Sequence, residues 1–209
     1  MRGRLIALEG IDGCGKSTQA RLLAQWIGEP NVALTSEPGA TSLGMRLRQL
    51  LLDSASPGVS ARAEALLIAA DRADHVSEVI APALADGRWV VSDRYSGSTL
   101  AYQGYGRGLD LDTLRQLVTF ATGGLEADLN VLVDVPLEVA RARLKRADAD
   151  RFERLDESFH QRVRDGYTTI AASDPRWVVV DGTGTVDEVA KQVSAAISER
   201  LGPLPASAR

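Results

Sequence analysis

The amino-acid sequence predicts a three-layer α/β fold, a parallel five-stranded sheet flanked by helices, on three observations. Short apolar runs recur between longer amphipathic stretches, the runs lack in/out alternation, and a glycine-rich loop follows the first of them. Strands covered by helices on both sides read as continuous apolar runs. In chain order the runs are Leu5–Leu8, Val32–Thr35, Trp89–Ser92, Asn130–Val135 and Trp177–Val180. The helical stretches begin with Ser17–Ile27 and Leu43–Leu52, followed by Arg62–Ala85, which Asp86-Gly87 stops. Leu111–Ala121 ends before Gly123-Gly124, and Leu137–Arg146 follows Pro136, a residue preset for a helix start. Arg154–Ala172 and Val186–Leu201 complete the alternation. Such sheets bind ligands at the carboxyl ends of their strands.

Length and composition set the outer bounds. The 209 residues, 44% hydrophobic and 25% charged, suit one globular domain spanning 1–209 and exclude a low-complexity chain. A formal charge of −4 argues against coating nucleic acid, although local cations can still hold a phosphate ligand. A single cysteine, Cys14, allows no intramolecular disulfide and suits the reducing cytoplasm, where the protein is expected to reside. No apolar run approaches the ~18 residues of a membrane span, and Glu9 interrupts the N-terminal run too early for a secretory signal. The tail 202–209 has little apolar surface and is expected to fray.

Gly10-Ile11-Asp12-Gly13-Cys14-Gly15-Lys16-Ser17 satisfies the phosphate-loop pattern G-x-x-x-x-G-K-[ST] at every fixed position. It lies between a strand and an amphipathic helix, the context that separates the motif from an inert glycine turn. The glycines let amide groups converge on an anion at a helix N-terminus. Lys16 is expected to neutralise β- and γ-phosphates of ATP, Ser17 to ligate Mg²⁺, and Thr18 to complete the cradle. Cys14 reads as a small filler, with an acidified thiol as the alternative. No Asn-Lys-x-Asp guanine-reading motif is present, which removes the small-GTPase reading; a small kinase or a nucleotide-binding module survives.

More specific blocks follow. Asp93-Arg94-Tyr95-Ser96-Gly97-Ser98-Thr99-Leu100-Ala101-Tyr102-Gln103-Gly104, Glu37-Pro38-Gly39-Ala40-Thr41, Asp71-Arg72, Asp150-Arg151-Phe152-Glu153 and the segment from Phe159 to Tyr167 occur in that family's order in a chain that resembles thymidylate kinases. The resemblance spans about residues 5 to 182. It implies a nucleoside-monophosphate-kinase-like phosphate-loop NTPase fold, a Mg²⁺-dependent homodimer, and conversion of ATP and dTMP into ADP and dTDP. The chemistry agrees, because phosphoryl transfer is mostly positioning and charge neutralisation. A monophosphate acceptor already carries anionic oxygens, its second pKa being about 6, so no general base is needed.

By resemblance, Arg94 clamps the acceptor phosphate and Arg48 is a second contact to it, the alternatives being an Asp93 pair and a solvated helix face. Asp93 either reaches Mg²⁺ through water or orients Arg94, and Asp12 contacts the deoxyribose 3′-hydroxyl or the metal. Glu37, Pro38 and Ser98 join the dTMP site, with Arg72 at the thymine carbonyl and Thr99 and Gln103 at the ring's polar edge. Tyr102 crowds the 2′ position. Ile68 stands where the family usually has a stacking Phe, and Ser36 where many bacterial members have Arg. Glu9 reads as a carboxylate paired with an arginine, and Tyr95 as core. A lid is expected over about 143–154, with Arg146 and Arg151 bracketing a break and supplying charge to the γ-phosphate. Most other arginines between 141 and 164 read as solvated. Adenine is expected near Asp181-Gly182-Thr183-Gly184, unless that is a plain turn. His75 and His160 are placed on polar helix faces without chemistry, and Trp26, Trp89 and Trp177 as packing residues. A deoxynucleoside kinase using Glu9 or Glu37 as base and a regulatory nucleotide-binding module are the competing readings.

Overall fold

A computed structural model of the protein describes residues 2–52, 59–144, 152 and 155–202. Strands β1 (Leu5–Glu9), β2 (Val32–Ser36), β3 (Trp89–Asp93), β4 (Leu129–Asp134) and β5 (Trp177–Asp181) form one parallel sheet in the order β2-β3-β1-β4-β5. The chain moves to one side of β1 for β2 and β3 and to the other for β4 and β5, so the switch point lies at the carboxyl end of β1. Leu5–Leu8 of β1 are buried, as their apolar run predicts, and so is Glu9 at its end.

Helix α1 (Lys16–Ile27) follows β1, and α2 (Ser42–Leu52) follows β2. Helix α3 (Ala61–His75) is capped by the Ser60 hydroxyl, which accepts the Ala63 N–H. The stretch read as one helix over Arg62–Ala85 widens to π geometry at Val76–Ile80 before α4 (Ala81–Ala85). Pro82 lacks an amide proton, and its ring would strike the carbonyl four residues back in a regular helix; the wider turn relieves both. Between β3 and α6 (Leu111–Thr122) the chain forms the short α5 (Ser96–Thr99) and a π stretch, Leu100–Gly106, which the sequence reading left without helix. The π stretch packs on α8 (Glu157–Ser173) so closely that a Cβ on Gly106 would sit 2.7 Å from the Phe159 ring. Helix α7 (Leu137–Arg143) follows β4, and α9 (Val186–Leu201) follows β5 with a full Thr185/Glu188 capping box.

The sheet separates two cores. Ile6 and Leu8 point into the larger, which also holds Leu23, Val131, Val163 and Ile197; Leu5 and Ala7 point into the smaller, with Ile80, Leu84 and Tyr95. This is the expected three-layer α/β architecture. Trp89 and Trp177 are buried as expected, but Trp26 is about half exposed, because α1 presents it beyond the edge of the core. Among the described residues no helix is long and apolar enough to cross a membrane. Arg146, Arg151 and the break between them lie outside the described residues, as does the tail from 203 onward.

Candidate active site

The phosphate loop leaves β1 at the switch point. Gly10, Gly13 and Gly15 adopt φ of +140°, +83° and +101°, conformations that side chains rarely tolerate. A Cβ on Gly13 would lie 2.3 Å from the Ala140 carbonyl oxygen, so the loop also needs glycine to fit beside α7. Gly15 caps α1 without a side-chain hydrogen bond, and no acidic residue sits in the first turn. No side chain at the helix end therefore competes with an anion for its amide donors. Lys16 folds back, donating from Nζ to the Ile11 carbonyl at 2.8 Å, with the buried Cys14 sulfur at 3.7 Å.

This loop forms one wall of a cleft of about 960 Å³, whose other walls include Gly182, Gly184 and Arg143. Arg143 closes the gap, donating to the carbonyl of Cys14 at 3.4 Å and of Thr183 at 3.5 Å. Arg143 is exposed, as expected of a solvated helix arginine, but the end of α7 also carries it across the cleft. Arg164, likewise expected to be solvated, makes a two-pronged bond to Asp134, with both contacts at 2.8 Å.

A second cavity, about 110 Å³, is lined by Ile68, Asp71, Arg72, Ser98, Thr99, Tyr102, Gln103 and Phe152. The two cavities share Asp12, Glu37, Pro38, Arg48 and Arg94. Arg94, directly after β3, points its guanidinium at this junction. It bonds to Asp12 through Nη2 and lies 3.1 Å from the Tyr102 hydroxyl, while Nη1 lies 3.1 Å from Gly10 O, Ser98 Oγ and Tyr167 Oη. Asp93, the alternative partner, instead accepts from the Ser17 hydroxyl. Burial alone would push the Asp12 carboxyl up, but Arg94, Lys16 and the Tyr102 hydroxyl together hold it well below the usual carboxylate range. Asp12 is thus ionised and sits as a counter-anion on the arginine expected to take a phosphate.

Beneath the second cavity lies a buried ion network. Glu37 accepts from Arg72 Nε at 2.9 Å and faces His75 Nδ1 at 2.9 Å, and His75 Nε2 lies 2.7 Å from the Thr35 hydroxyl. His75 has no exposed surface, so its placement on a polar helix face is corrected: the polar face of α3 turns inward against Glu37. His160 is also buried, edge-on to Phe159. Burial opposes ionisation of Glu37, yet Arg72 and His75 overcome it and lower its pKa. Arg72 spends further N–H groups on Thr99 Oγ1 at 2.7 Å and the Tyr95 carbonyl at 2.9 Å. Gln103 donates to Glu64 at 3.0 Å, and Glu64 also holds Arg107. Arg72, Thr99 and Gln103 all reach the cavity, but each is anchored first to protein. Arg48 lies exposed above, bonded to the Pro38 carbonyl at 2.8 Å.

Asp71, named in the sequence only as part of a motif, is almost wholly buried; Oδ1 accepts the Gly39 N–H at 2.9 Å and Oδ2 has no partner. Burial and the nearby Glu37 carboxylate push its pKa up to about 6. Glu9 is not paired with an arginine as expected but is fully buried among backbone amides and hydroxyls. That burial raises its pKa, while Ser98, Arg94, Tyr95 and Tyr167 oppose the rise. Tyr95 is core, its hydroxyl bonded to the Leu125 carbonyl at 2.9 Å. Tyr167 and Phe152 stand in the sequence only as members of motif blocks with no role assigned, since single aromatics carry no positional signal. The spacing Asp71, Arg72, His75 does carry one, since those positions share a helix face.

Comparison with known proteins gives the family. The sequence matches the family model described as thymidylate kinase over residues 8–193. The chain belongs to the thymidylate kinase family. It is 50% identical over 192 residues to a thymidylate kinase of Carboxydothermus hydrogenoformans, covering 90% of this chain and 94% of that one. It is 46% identical over 208 residues to one from Nostoc sp., covering 96% and 98%. A crystal structure of thymidylate kinase from Ehrlichia chaffeensis superposes with a TM-score of 0.79 at 31% identity, covering 94% of this chain and 100% of that one.

Proposed function

We propose that this thymidylate kinase family member transfers the γ-phosphoryl group of ATP to dTMP, with ATP in the larger cleft and dTMP in the smaller cavity. The observation that carries this assignment is that the two cavities meet on Arg94 and Asp12. In-line transfer between two anionic nucleotides requires such a junction. The loop of Gly10–Thr18 and Lys16 hold the donor phosphates. Arg94 and Arg48 hold the acceptor phosphate, which exchanges places with the Asp12 carboxylate on Arg94 and leaves Asp12 to the sugar. Ile68 and Phe152 cover the base, Thr99 retains its proton as a donor, and Gln103 retains Oε1 as an acceptor. Ser98, Glu37 and Pro38 complete the wall, and Tyr102, locked between Asp12 and Arg94, excludes a 2′-hydroxyl.

Mg²⁺ fits the residues present. Asp93 Oδ1 is buried without a partner while Oδ2 takes the Ser17 proton, so two hard oxygen donors lie together at the end of the phosphate loop. Bound there, the ion supplies charge neutralisation on the donor phosphates. Neither Glu9 nor Glu37, the carboxylates a deoxynucleoside kinase would use here, is free to act as a base: Glu37 is committed to Arg72 and His75, and Glu9 is saturated with donors. The acceptor's own anionic oxygen attacks. Arg146 and Arg151 are assigned to the γ-phosphate. We place the enzyme in the cytoplasm and propose a homodimer through the α3 face, where Leu66 is exposed, as are Met45 of α2 and Phe120 of α6.

A coupled ADP-release assay comparing dTMP with thymidine tests the assignment. Turnover with dTMP and none with thymidine is expected; preference for thymidine would overturn it.

A further inference from the structure

One carboxylate lies behind Arg94. Glu9, at the end of β1, accepts through Oε1 from the Tyr95 N–H at 3.0 Å and the Ser98 N–H at 3.2 Å. Through Oε2 it accepts from the Ser98 hydroxyl at 2.7 Å and the Tyr167 hydroxyl at 3.0 Å. Four donors use the full acceptor capacity of a carboxylate. The two hydroxyl oxygens also lie 2.8 Å apart, so one proton goes to Glu9 and the other to Glu9 or to the neighbouring hydroxyl, and in either case only lone pairs face Arg94. Both hydroxyl oxygens lie 3.1 Å from Arg94 Nη1, a group that can only donate. The Glu9 carboxylate therefore sets which way both hydroxyls point. It also pins the backbone just after Arg94, whose φ of +76° is the one positive value at a non-glycine among the described residues. Such a conformation persists only where its surroundings over-determine it.

We infer that Glu9, acting through the hydroxyls of Ser98 and Tyr167, is the positioning residue that presents Arg94 to the acceptor phosphate. The inference rests on the reading that Arg94 binds that phosphate. None of the three needs to touch the nucleotide base or the donor for this role. An amide at position 9 defeats it in either orientation. With its NH₂ toward Tyr95 and Ser98, donor meets backbone donor. With its NH₂ toward the hydroxyls, they become acceptors and turn their own protons on Arg94.

The test measures dTMP and thymidine dissociation constants by calorimetry on the full chain, since only dTMP carries the phosphate. Arg94→Ala calibrates the experiment and is expected to weaken dTMP selectively. Glu9→Gln is expected to weaken dTMP by at least about tenfold, as loss of a charge-assisted contact does, with thymidine within about twofold. Tyr167→Phe, which keeps the ring, is expected to show the same selectivity at about threefold or more. If Arg94→Ala separates the two ligands while Glu9→Gln and Tyr167→Phe shift both alike or neither, the positioning role is overturned. If Arg94→Ala does not separate them, the acceptor-phosphate reading falls and the inference falls with it. Should Glu9→Gln fail to fold, Tyr167→Phe decides by the same criterion.

Discussion

The donor cleft and the acceptor pocket meet at Arg94 but are built on opposite plans. The phosphate wall of the donor cleft is one contiguous loop, a helix end and backbone amides, all within the segment that joins β1 to α1. The acceptor pocket draws Glu37, Arg72, Arg94, Tyr102 and Phe152 from separate segments and ties most of them to one another before any ligand arrives. Backbone amides recognise phosphate generically, and local sequence alone can specify them. Buried charged side chains recognise one particular acceptor, and they are held in place only by partners distant in the chain. Mutations on the donor side should therefore cost turnover with little stability, whereas those on the acceptor side should cost both.

The largest expected effect is on the donor side. Arg151→Ala is expected to lower kcat by ~10²-fold or more, as loss of an arginine finger does, with the melting temperature unchanged. A fall of less than threefold in steady-state assays would remove the lid from the comparison. Glu37→Gln tests the acceptor side by leaving Arg72 and His75 without their shared carboxylate. Breaking a buried pair from one side costs about 3 kcal/mol or more, which denaturant unfolding would detect together with a raised KM for dTMP. Unchanged stability would mean that the pocket is not pre-tied as its hydrogen bonds indicate.

The smallest effect sharpens the contrast through pH. The native pKa of Asp71 is pushed up to about 6 from 3.8, so the folded protein binds more protons than the unfolded chain between those values. Its contribution to stability is therefore present at the acid end of that window and is lost as pH rises through about 6. Asp12 and Glu37, with lowered native pKa values, act in the opposite sense: their contribution is present above the unfolded pKa and is lost as pH falls through the folded one. Asp71→Asn is expected to remove the first component alone, so that stability declines less between pH 4 and 6 than in the wild type. An unaltered profile from denaturant melts at several pH values would show that Asp71 does not titrate there.

The sequence by itself determined the sheet and the phosphate loop, and its resemblance to a family named most of the cavity-lining residues. Apolar runs without alternation require burial on both faces, and glycine spacing beside a strand dictates a backbone shape; both are local properties. The Asp93-Arg94 block likewise placed Arg94 at a strand end, as β3 confirms. Only the tertiary structure decided what those side chains do to each other. Arg94 has Asp12 rather than Asp93 as its counter-ion, His75 is buried on Glu37, Arg143 spans the donor cleft, and Glu9 is ringed by hydroxyls and amides. The physical reason is that a charge takes its role from the neighbours that desolvate and pair it. Those neighbours, such as Tyr167 for Glu9, stand as many as 158 positions away in the chain.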